Sequence, residues 1–192
     1  MKYETIIFDL DGTLVDSKIN FSAIYQKLSL KPGSSIIEHV NTLNENDRKS
    51  ALDIVHHHED EGARLSTLIP GVFDLLAELL NRNINIGVFT LNSRTIALKT
   101  LEIHKINIPM LITREDAKPK PDPEGLLKIC EHYSTPQEKV LYVGDYKYDL
   151  IAGKNANIKT ALYSAVPPDF NTEDAYLKFT HYNELKKYLF EI

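Results

Sequence analysis

Short apolar runs rich in β-branched residues alternate along the chain with segments of helical periodicity. Residues 5–8 read TIIF and residues 140–143 read VLYV, and neither run alternates strictly between polar and apolar residues. Runs of this kind are typical of strands that are buried on both faces of a parallel sheet. The predicted strands span residues 5–8, 84–89, 108–113, 140–143 and 159–163, with a further edge strand at 175–179.

Amphipathic segments fill the intervals between these strands. Residues 72–81 read VFDLLAELLN, and Ser93 stands where a helix N-cap is expected. Because strands and helices alternate, the sequence predicts the α/β class, with a doubly wound, Rossmann-like parallel sheet as its core. The predicted helices span residues 72–81, 93–104, 122–133, 148–156 and 183–190.

One interval breaks the alternation, because residues 16–67 show helical periodicity and no strand pattern. The interval is too long for an ordinary connection between two elements of a compact domain. We therefore predict a core domain formed by residues 1–15 plus 68–192 and a small helical cap domain formed by residues 16–67.

Composition and charge narrow the class of protein. The chain is 43% hydrophobic and 26% charged, and its formal net charge is −5, which argues against a nucleic-acid binder and gives no attraction to an anionic membrane. Cys130 is the single cysteine, so no intrachain disulfide can form, which fits a reducing compartment. We expect a cytoplasmic protein that binds neither nucleic acid nor membrane; whether it is a monomer or a homodimer stays open.

Polar residues directly follow four of the predicted strands. The carboxyl ends of strands in an open parallel sheet face the same edge, and ligands bind in the crevice there. Residues far apart in the chain are therefore expected in one pocket. They are Asp9 and Asp11 after the first strand, Thr90 after the second, Lys118 and Lys120 after the third, and Asp145 and Asp149 after the fourth.

Carboxylates gathered at one edge repel each other unless a cation lies between them. Mg²⁺ prefers oxygen ligands and commonly takes one or two carboxylates together with water and a substrate phosphate. A lysine and a threonine hydroxyl beside that metal suit the binding of an anion. The set predicts phosphoryl transfer, in which positioning and charge neutralisation matter most.

The segment DLDGTLVD at residues 9–16 resembles the first motif of the haloacid dehalogenase superfamily of phosphatases. Thr90, KPDPEGLL at 120–127 and VGDYKYD at 143–149 resemble the second, third and fourth motifs, in the same order. The resemblance covers essentially the whole chain. The overall pattern of motifs is similar to the phosphoglycolate-phosphatase-like branch of the superfamily, in which a helical cap follows the first motif.

The resemblance implies a role for each of these residues. Asp9 would be the nucleophile and form an aspartyl-phosphate, and Asp11 would act as general acid and then as general base. Lys120 would complete the catalytic set. The implied Mg²⁺ ligands are Asp9, Asp11 through its backbone carbonyl, Asp145 and Asp149, with Asp149 alternatively orienting Lys120; the implied phosphate-binding residues are Gly12, Thr90, Leu91, Asn92 and Lys120.

Three assignments within this pattern stay open. Leu91 separates Thr90 from Asn92, where the family often has Asn directly after the hydroxyl. The segment AKPKPDPEGLL offers two lysines, and we prefer Lys120 to Lys118 because of its distance from the next strand. In the predicted cap, the candidates for the substrate pocket are Lys18, Phe21, Tyr25 and Arg64.

The predicted function is a Mg²⁺-dependent phosphatase acting on a small phosphorylated metabolite, such as phosphoglycolate or a sugar phosphate. A phosphomutase of the same fold is the alternative, and a catalytically silent phosphate-binding protein is a further one. Dehalogenation is disfavoured because halide needs no proton on leaving, and the dehalogenases of the superfamily lack an aspartate at the position of Asp11.

Overall fold

A six-stranded parallel sheet forms the centre of the computed structural model, which describes residues 2–190. Its strands are β1 (Thr5–Phe8), β4 (Asn85–Phe89), β5 (Met110–Ile112), β6 (Val140–Gly144), β7 (Lys159–Tyr163) and β8 (Leu177–Phe179). The strand order is β5-β4-β1-β6-β7-β8, and every neighbouring pair is parallel. The predicted α/β fold with a doubly wound sheet is confirmed.

The central strand β1 is buried on both faces. Ile6, Ile7 and Phe8 have no exposed surface. Ile6 and Phe8 belong to one hydrophobic cluster, while Ile7 belongs to a second cluster on the opposite face. Side chains alternate between the two faces of a strand, so a continuous apolar run requires helices on both sides of the sheet.

The helices that cover the sheet begin and end within two residues of the predicted bounds. Ser93 caps its helix by accepting a hydrogen bond from the N–H of Ile96 at 3.3 Å. These helices are α4 (Val72–Asn81), α5 (Arg94–Ile103), α6 (Glu124–His132), α7 (Lys147–Asn155) and α8 (Tyr182–Phe190).

The interval without a predicted strand contains three helices and is bounded by a short ribbon that the sequence pattern did not reveal. Strands β2 (Val15–Asp16) and β3 (Thr67–Leu68) pair antiparallel. Two residues per strand are too few for a visible alternation, which explains the missed prediction. Between them lie α1 (Phe21–Lys27), α2 (Ile36–Thr42) and α3 (Glu45–Leu65).

The inserted helices share a small hydrophobic cluster of Ile24, Ile37 and Val55. Treating residues 16–67 as a separate cap domain stays a prediction. Within residues 2–190, no helix combines the length and the apolar character that crossing a membrane requires. The cytoplasmic location stays a prediction as well.

Candidate active site

The carboxyl ends of β1, β4 and β6 meet at one edge of the sheet and bring residues from remote parts of the chain together. Asp9 directly follows β1, and its N–H donates a hydrogen bond to the carbonyl of Val143 in β6 at 2.8 Å. Thr90 directly follows β4, and its N–H donates to the carbonyl of Ile112 in β5 at 3.0 Å. Backbone hydrogen bonds between neighbouring strands therefore fix the positions of the main chain at Asp9 and Thr90.

Lys120 joins two of the carboxylates. Its Nζ lies 2.6 Å from Oδ1 of Asp9 and 2.8 Å from Oδ1 of Asp149, and the residue is buried. Burial lowers the pKa of Lys120, but the charges of Asp149 and Asp9 outweigh it, so that the pKa is raised to about 12. The side chain of Lys118 is exposed, and its Nζ lies 3.8 Å from Oδ2 of Asp122. Of the two candidate lysines, Lys120 is therefore the one that reaches the strand ends.

Asp149 is held by donors at both of its oxygens. Its Oδ1 accepts from Lys120 and from the hydroxyl of Tyr142 at 2.5 Å. Its Oδ2 accepts from the N–H groups of Asp145 at 3.2 Å and Tyr146 at 3.0 Å, at the start of α7. This arrangement suits the alternative in which Asp149 orients Lys120.

Asp145 packs against the turn that follows β1. A Cβ atom added to Gly12 would lie 2.2 Å from Oδ2 of Asp145, and Gly12 has a φ of +75°. The hydroxyl of Thr13 donates to Oδ1 of Asp145 at 3.1 Å. The glycine therefore provides both the left-handed turn and the space that the carboxylate occupies.

Asp9, Asp145 and Asp149 form a set of oxygen donors that could hold a metal ion. One carboxylate oxygen from each lies within 4.8 Å of the others. A buried group of carboxylates fits a hard divalent cation such as Mg²⁺ better than a softer metal. The side chain of Asp11 is not part of this group, and its expected contribution through the backbone carbonyl stays a prediction.

Burial raises the pKa of the carboxyls of Asp9 and Asp145 because it penalises their charged form. Burial raises the pKa of Asp9 to about 7. The charge of Lys120 lowers this pKa, whereas the charges of Asp149 and Asp11 raise it. Burial, then the charges of Asp149 and Asp9, hold the pKa of Asp145 well above its usual range. One lysine does not neutralise the cluster, whereas a bound cation would stabilise its charged form.

Asp11 lies in a different environment from Asp9. Burial raises the pKa of Asp11 to about 6, although Ser17, Lys120 and Asn92 each lower it. A carboxyl with such a pKa can donate and accept a proton near neutral pH. This property suits the acid–base role that the sequence predicted for Asp11.

The predicted phosphate-binding loop, residues 90–92, is folded back on itself. The hydroxyl oxygen of Thr90 accepts from the N–H of Asn92 at 3.1 Å, and both residues are buried. The side-chain Nδ2 of Asn92 is buried without a hydrogen-bond partner among residues 2–190. Whether Thr90, Leu91 and Asn92 contact phosphate stays a prediction.

A cavity of about 550 Å³ is lined by residues of these strand ends and by residues of the inserted segment. We call its lining residues Asp9, Thr90, Lys120, Asp145 and Asp149 the floor, and the lining residues within 16–67 the roof. Of the predicted roof residues, Lys18, Phe21 and Tyr25 line the cavity. Arg64 does not, because its exposed side chain pairs with Asp60 at 2.9 Å.

Three polar residues near the cavity were not identified from the sequence, namely Ser17, Glu59 and Arg114. Ser17 lines the cavity, and its side chain lowers the pKa of Asp11. Glu59 lines the roof and forms an ion pair with Arg114. Burial raises the pKa of Glu59 to about 7, although Arg114 lowers it, and the negative charge of Asp11 raises it further. A glutamate within a long helix carries no local signal that would separate it from a surface residue.

Comparison with known proteins places these motifs in a family. The sequence matches haloacid dehalogenase-like hydrolases over residues 6–163. Pyrophosphatase PpaX of Oceanobacillus iheyensis is 30% identical, and the match covers 94% of this chain and 91% of that protein. Pyrophosphatase PpaX of Bacillus cereus is 28% identical, with 85% and 84% covered.

Solved structures of similar fold include a HAD-superfamily hydrolase of subfamily IA from Geobacter sulfurreducens. It has a TM-score of 0.70 and 24% identity, and the match covers 97% of this chain and 99% of that one. A predicted phosphoglycolate phosphatase from Haemophilus somnus has a TM-score of 0.75 and 18% identity, with 98% and 99% covered. At these identities the likeness concerns the fold.

Proposed function

The chain belongs to the haloacid dehalogenase-like hydrolases, and we propose that it is a Mg²⁺-dependent phosphatase that hydrolyses a small phosphorylated metabolite. The observation that carries this proposal is the position of Lys120, whose Nζ contacts Asp9 and Asp149 beside the group of carboxylate oxygens. Lysine and a cation-binding cluster at one strand edge suit a substrate that carries several negative charges.

In the first step, a carboxylate oxygen of Asp9 attacks phosphorus and forms an aspartyl-phosphate, while the bond from phosphorus to the ester oxygen breaks. Asp11 donates its proton to the departing oxygen, so the leaving group departs as a neutral alcohol. The pKa of Asp11, raised by burial to about 6, supports its holding that proton before the step.

In the second step, water attacks the phosphorus of the aspartyl-phosphate, and the bond from phosphorus to Asp9 breaks. Asp11 accepts the proton that the water loses. The products are inorganic phosphate and Asp9 as a carboxylate. The chain therefore returns to its initial state without any further reactant.

Other residues bind and orient the phosphate. Lys120 neutralises charge on Asp9 and on the phosphate oxygens, and Asp149 fixes the position of that lysine. The hydroxyl of Thr90 is the proposed donor to a further phosphate oxygen. The N–H of Gly12 is not a free donor, because it already donates to the carbonyl of Val15 at 2.7 Å. Asp9, Asp145 and the carbonyl of Asp11 would hold Mg²⁺, which supplies positive charge at the phosphoryl group when bound.

The test is release of inorganic phosphate from an aryl phosphate in the presence and absence of Mg²⁺. Wild-type protein should be active with Mg²⁺ and inactive after chelation, and Asp9→Asn should lower kcat by more than about 1000-fold because the nucleophile is lost. Asp74→Asn, at an exposed position of α4, is the matched control and should keep full activity. Turnover by Asp9→Asn at the wild-type rate contradicts the proposal.

The same assay separates hydrolysis from phosphoryl transfer between hydroxyls. Sugar phosphates, phosphoglycolate and pyrophosphate belong in the substrate panel, the last because the PpaX relatives are named pyrophosphatases. A phosphatase releases phosphate in step with substrate loss. Isomerisation of a sugar phosphate without phosphate release would instead identify a mutase.

A further inference from the structure

Glu59 is a buried carboxylate on the roof with one oxygen free. The residue lies on α3 and is 5% exposed. Its Oε1 forms the ion pair with Nη1 of Arg114, while its Oε2 is buried and has no hydrogen-bond partner within the described part of the chain. A buried acceptor left without a donor is costly, so this oxygen is a place where a ligand donor would gain binding energy.

Arg114 fixes where Glu59 lies relative to the reacting groups. Its Nη1 also donates to the carbonyl of Leu91 at 3.2 Å, and its backbone N–H donates to the carbonyl of Asn92 at 3.3 Å. The ion pair therefore joins the roof to the loop that follows β4. Glu59 and Asp11, the proposed general acid, both line the cavity.

The rest of the roof offers no buried positive charge. Ile24, Ile37 and Val55 contribute apolar surface. Lys18 is the one lysine or arginine among the described roof residues, and its side chain is half exposed and paired with Asp16. The buried cation beside Glu59, Arg114, is already engaged by Oε1 of Glu59 and by the carbonyl of Leu91. A leaving group that carries a carboxylate or a second phosphate would thus meet the unpartnered Oε2 of Glu59 without a buried cation of the roof to pair with.

We propose that Oε2 of Glu59 accepts a hydrogen bond from a hydroxyl or ammonium group on the leaving group of the substrate. The enzyme then selects phosphate esters of polyols or amino alcohols over esters whose leaving group is anionic. Repulsion by Glu59 disfavours the anionic esters, and the unpaired oxygen disfavours esters without a donor. This inference rests on the proposed phosphatase function and names its substrate class.

A series of two-carbon esters tests the inference on the wild-type protein. Ethyl phosphate, 2-hydroxyethyl phosphate, 2-aminoethyl phosphate and 2-phosphoglycolate differ only in the group at the second carbon. We expect kcat/KM for the better of the hydroxyl and ammonium esters to exceed that for 2-phosphoglycolate at least about tenfold, as a hydrogen bond to a charged group implies. The kcat/KM for ethyl phosphate should lie between those two values. Whichever of the hydroxyl and ammonium esters has the larger kcat/KM identifies the preferred donor group.

Glu59→Gln isolates the contribution of the free oxygen. The amide keeps an oxygen for Arg114 and places N–H donors where Oε2 was. The ratio of kcat/KM between the donor-bearing ester and 2-phosphoglycolate should fall at least about tenfold. Glu61→Gln, two residues along the same helix at a half-exposed position, is the matched control and should leave the ratio unchanged within about twofold.

If Glu59→Gln lowers kcat/KM by the same factor for all four esters, the role of Glu59 is merely structural and the inference is overturned. A higher kcat/KM of the wild-type protein for 2-phosphoglycolate or pyrophosphate than for the donor-bearing esters would overturn it as well. Either result leaves the phosphatase function intact, because phosphate is still released. Absence of phosphate release from every ester by the wild-type protein would instead refute the proposed function. If Glu59→Gln does not fold, the order of the four esters on the wild-type protein decides alone.

Discussion

The floor and the roof of the cavity are built on opposite principles. On the floor, charged groups are dense, and the oxygens of Asp149 and the amine of Lys120 are engaged by neighbours. The roof combines apolar side chains such as Ile24, Ile37 and Val55 with one buried glutamate, whose Oε2 has no hydrogen-bond partner among the described residues. We therefore expect the floor to determine the reaction and the roof to determine which leaving group is accepted.

The largest effect is expected from removing the one cation of the floor. Lys120→Met leaves Asp9 and Asp149 buried without their shared counter-charge, which should destabilise the protein by about 3–5 kcal/mol. Activity should fall together with stability, because the same lysine is proposed to contact the phosphate. Chemical denaturation and phosphate release measure the two effects.

Lys118→Met is the matched control for that substitution. Its side chain is exposed and lies 3.8 Å from Asp122, and such surface pairs contribute about 0–1 kcal/mol. Stability and activity should stay close to wild type. Equal behaviour of the two lysine variants would contradict the assignment of Lys120 to the floor.

A smaller effect is expected where the backbone gives the floor its shape. Gly12→Ala places a Cβ 2.2 Å from Oδ2 of Asp145 at a φ of +75°, so the carboxylate must move. We expect a loss of about 1–2 kcal/mol from the left-handed backbone alone and a weaker apparent affinity for Mg²⁺. Activity titrated against Mg²⁺ measures the second effect.

Gly33→Ala separates backbone strain from the displacement of the carboxylate. Gly33 has a φ of +81°, but a Cβ there would meet nothing nearer than the hydroxyl of Tyr146 at 3.6 Å. Its stability loss should resemble that of Gly12→Ala, while the apparent Mg²⁺ affinity stays unchanged. Parallel loss of affinity in both variants would show that strain alone explains the effect.

The floor could be predicted from the sequence because Asp9, Thr90 and Asp145 directly follow apolar runs, while Lys120 and Asp149 lie in the segments after such runs. Asp9 and Asp145 are 136 positions apart in the chain. Parallel strands nevertheless bring them to the same edge of the sheet, independent of the segments that connect these strands. The alternation of strands and helices was sufficient to place that edge. Knowledge of tertiary packing was not required.

The roof could not be predicted in the same way. The side-chain directions of Glu59 and Arg114 depend on how α3 packs against the core, and a glutamate in a helix of 21 residues looks like a surface residue. The ribbon of β2 and β3 is too short to show a period. Arg64 is a candidate for the pocket on the basis of the sequence, which does not show the direction of its side chain; in the structure that side chain pairs with Asp60.

A still smaller effect is expected from pH in the metal-free protein. The pKa values of Asp9 and Glu59 are raised to about 7, and that of Asp145 lies well above its usual range. A raised folded-state pKa means that the folded protein binds protons more tightly than the unfolded chain, so the stability this contributes is lost as pH rises through 7. Unfolding free energy should fall on the order of 1 kcal/mol from pH 7 to pH 8.

Thermal unfolding with and without Mg²⁺ at these two pH values checks this prediction. Mg²⁺ binds the carboxylate form, so it should stabilise the protein more at pH 8 than at pH 7. Comparing pH 7 and 8 keeps the titration of ordinary carboxylates out of the measurement. A metal-free protein that is more stable at pH 8 would show that the floor carries less uncompensated charge than its burial implies.

The smallest effect is expected at the contact between the roof and α7. The hydroxyl of Tyr148 donates to the carbonyl of Gly33 at 3.2 Å, and Nζ of Lys147 donates to the same oxygen at 3.3 Å. In Tyr148→Phe the lysine still satisfies that carbonyl, so the loss should stay below about 1 kcal/mol. Because the floor is untouched, kcat on an aryl phosphate should be unchanged, and KM should change more than kcat if the roof serves binding. A fall in kcat with KM unchanged would mean that the roof takes part in the chemical step, and the division between floor and roof would then have to be abandoned.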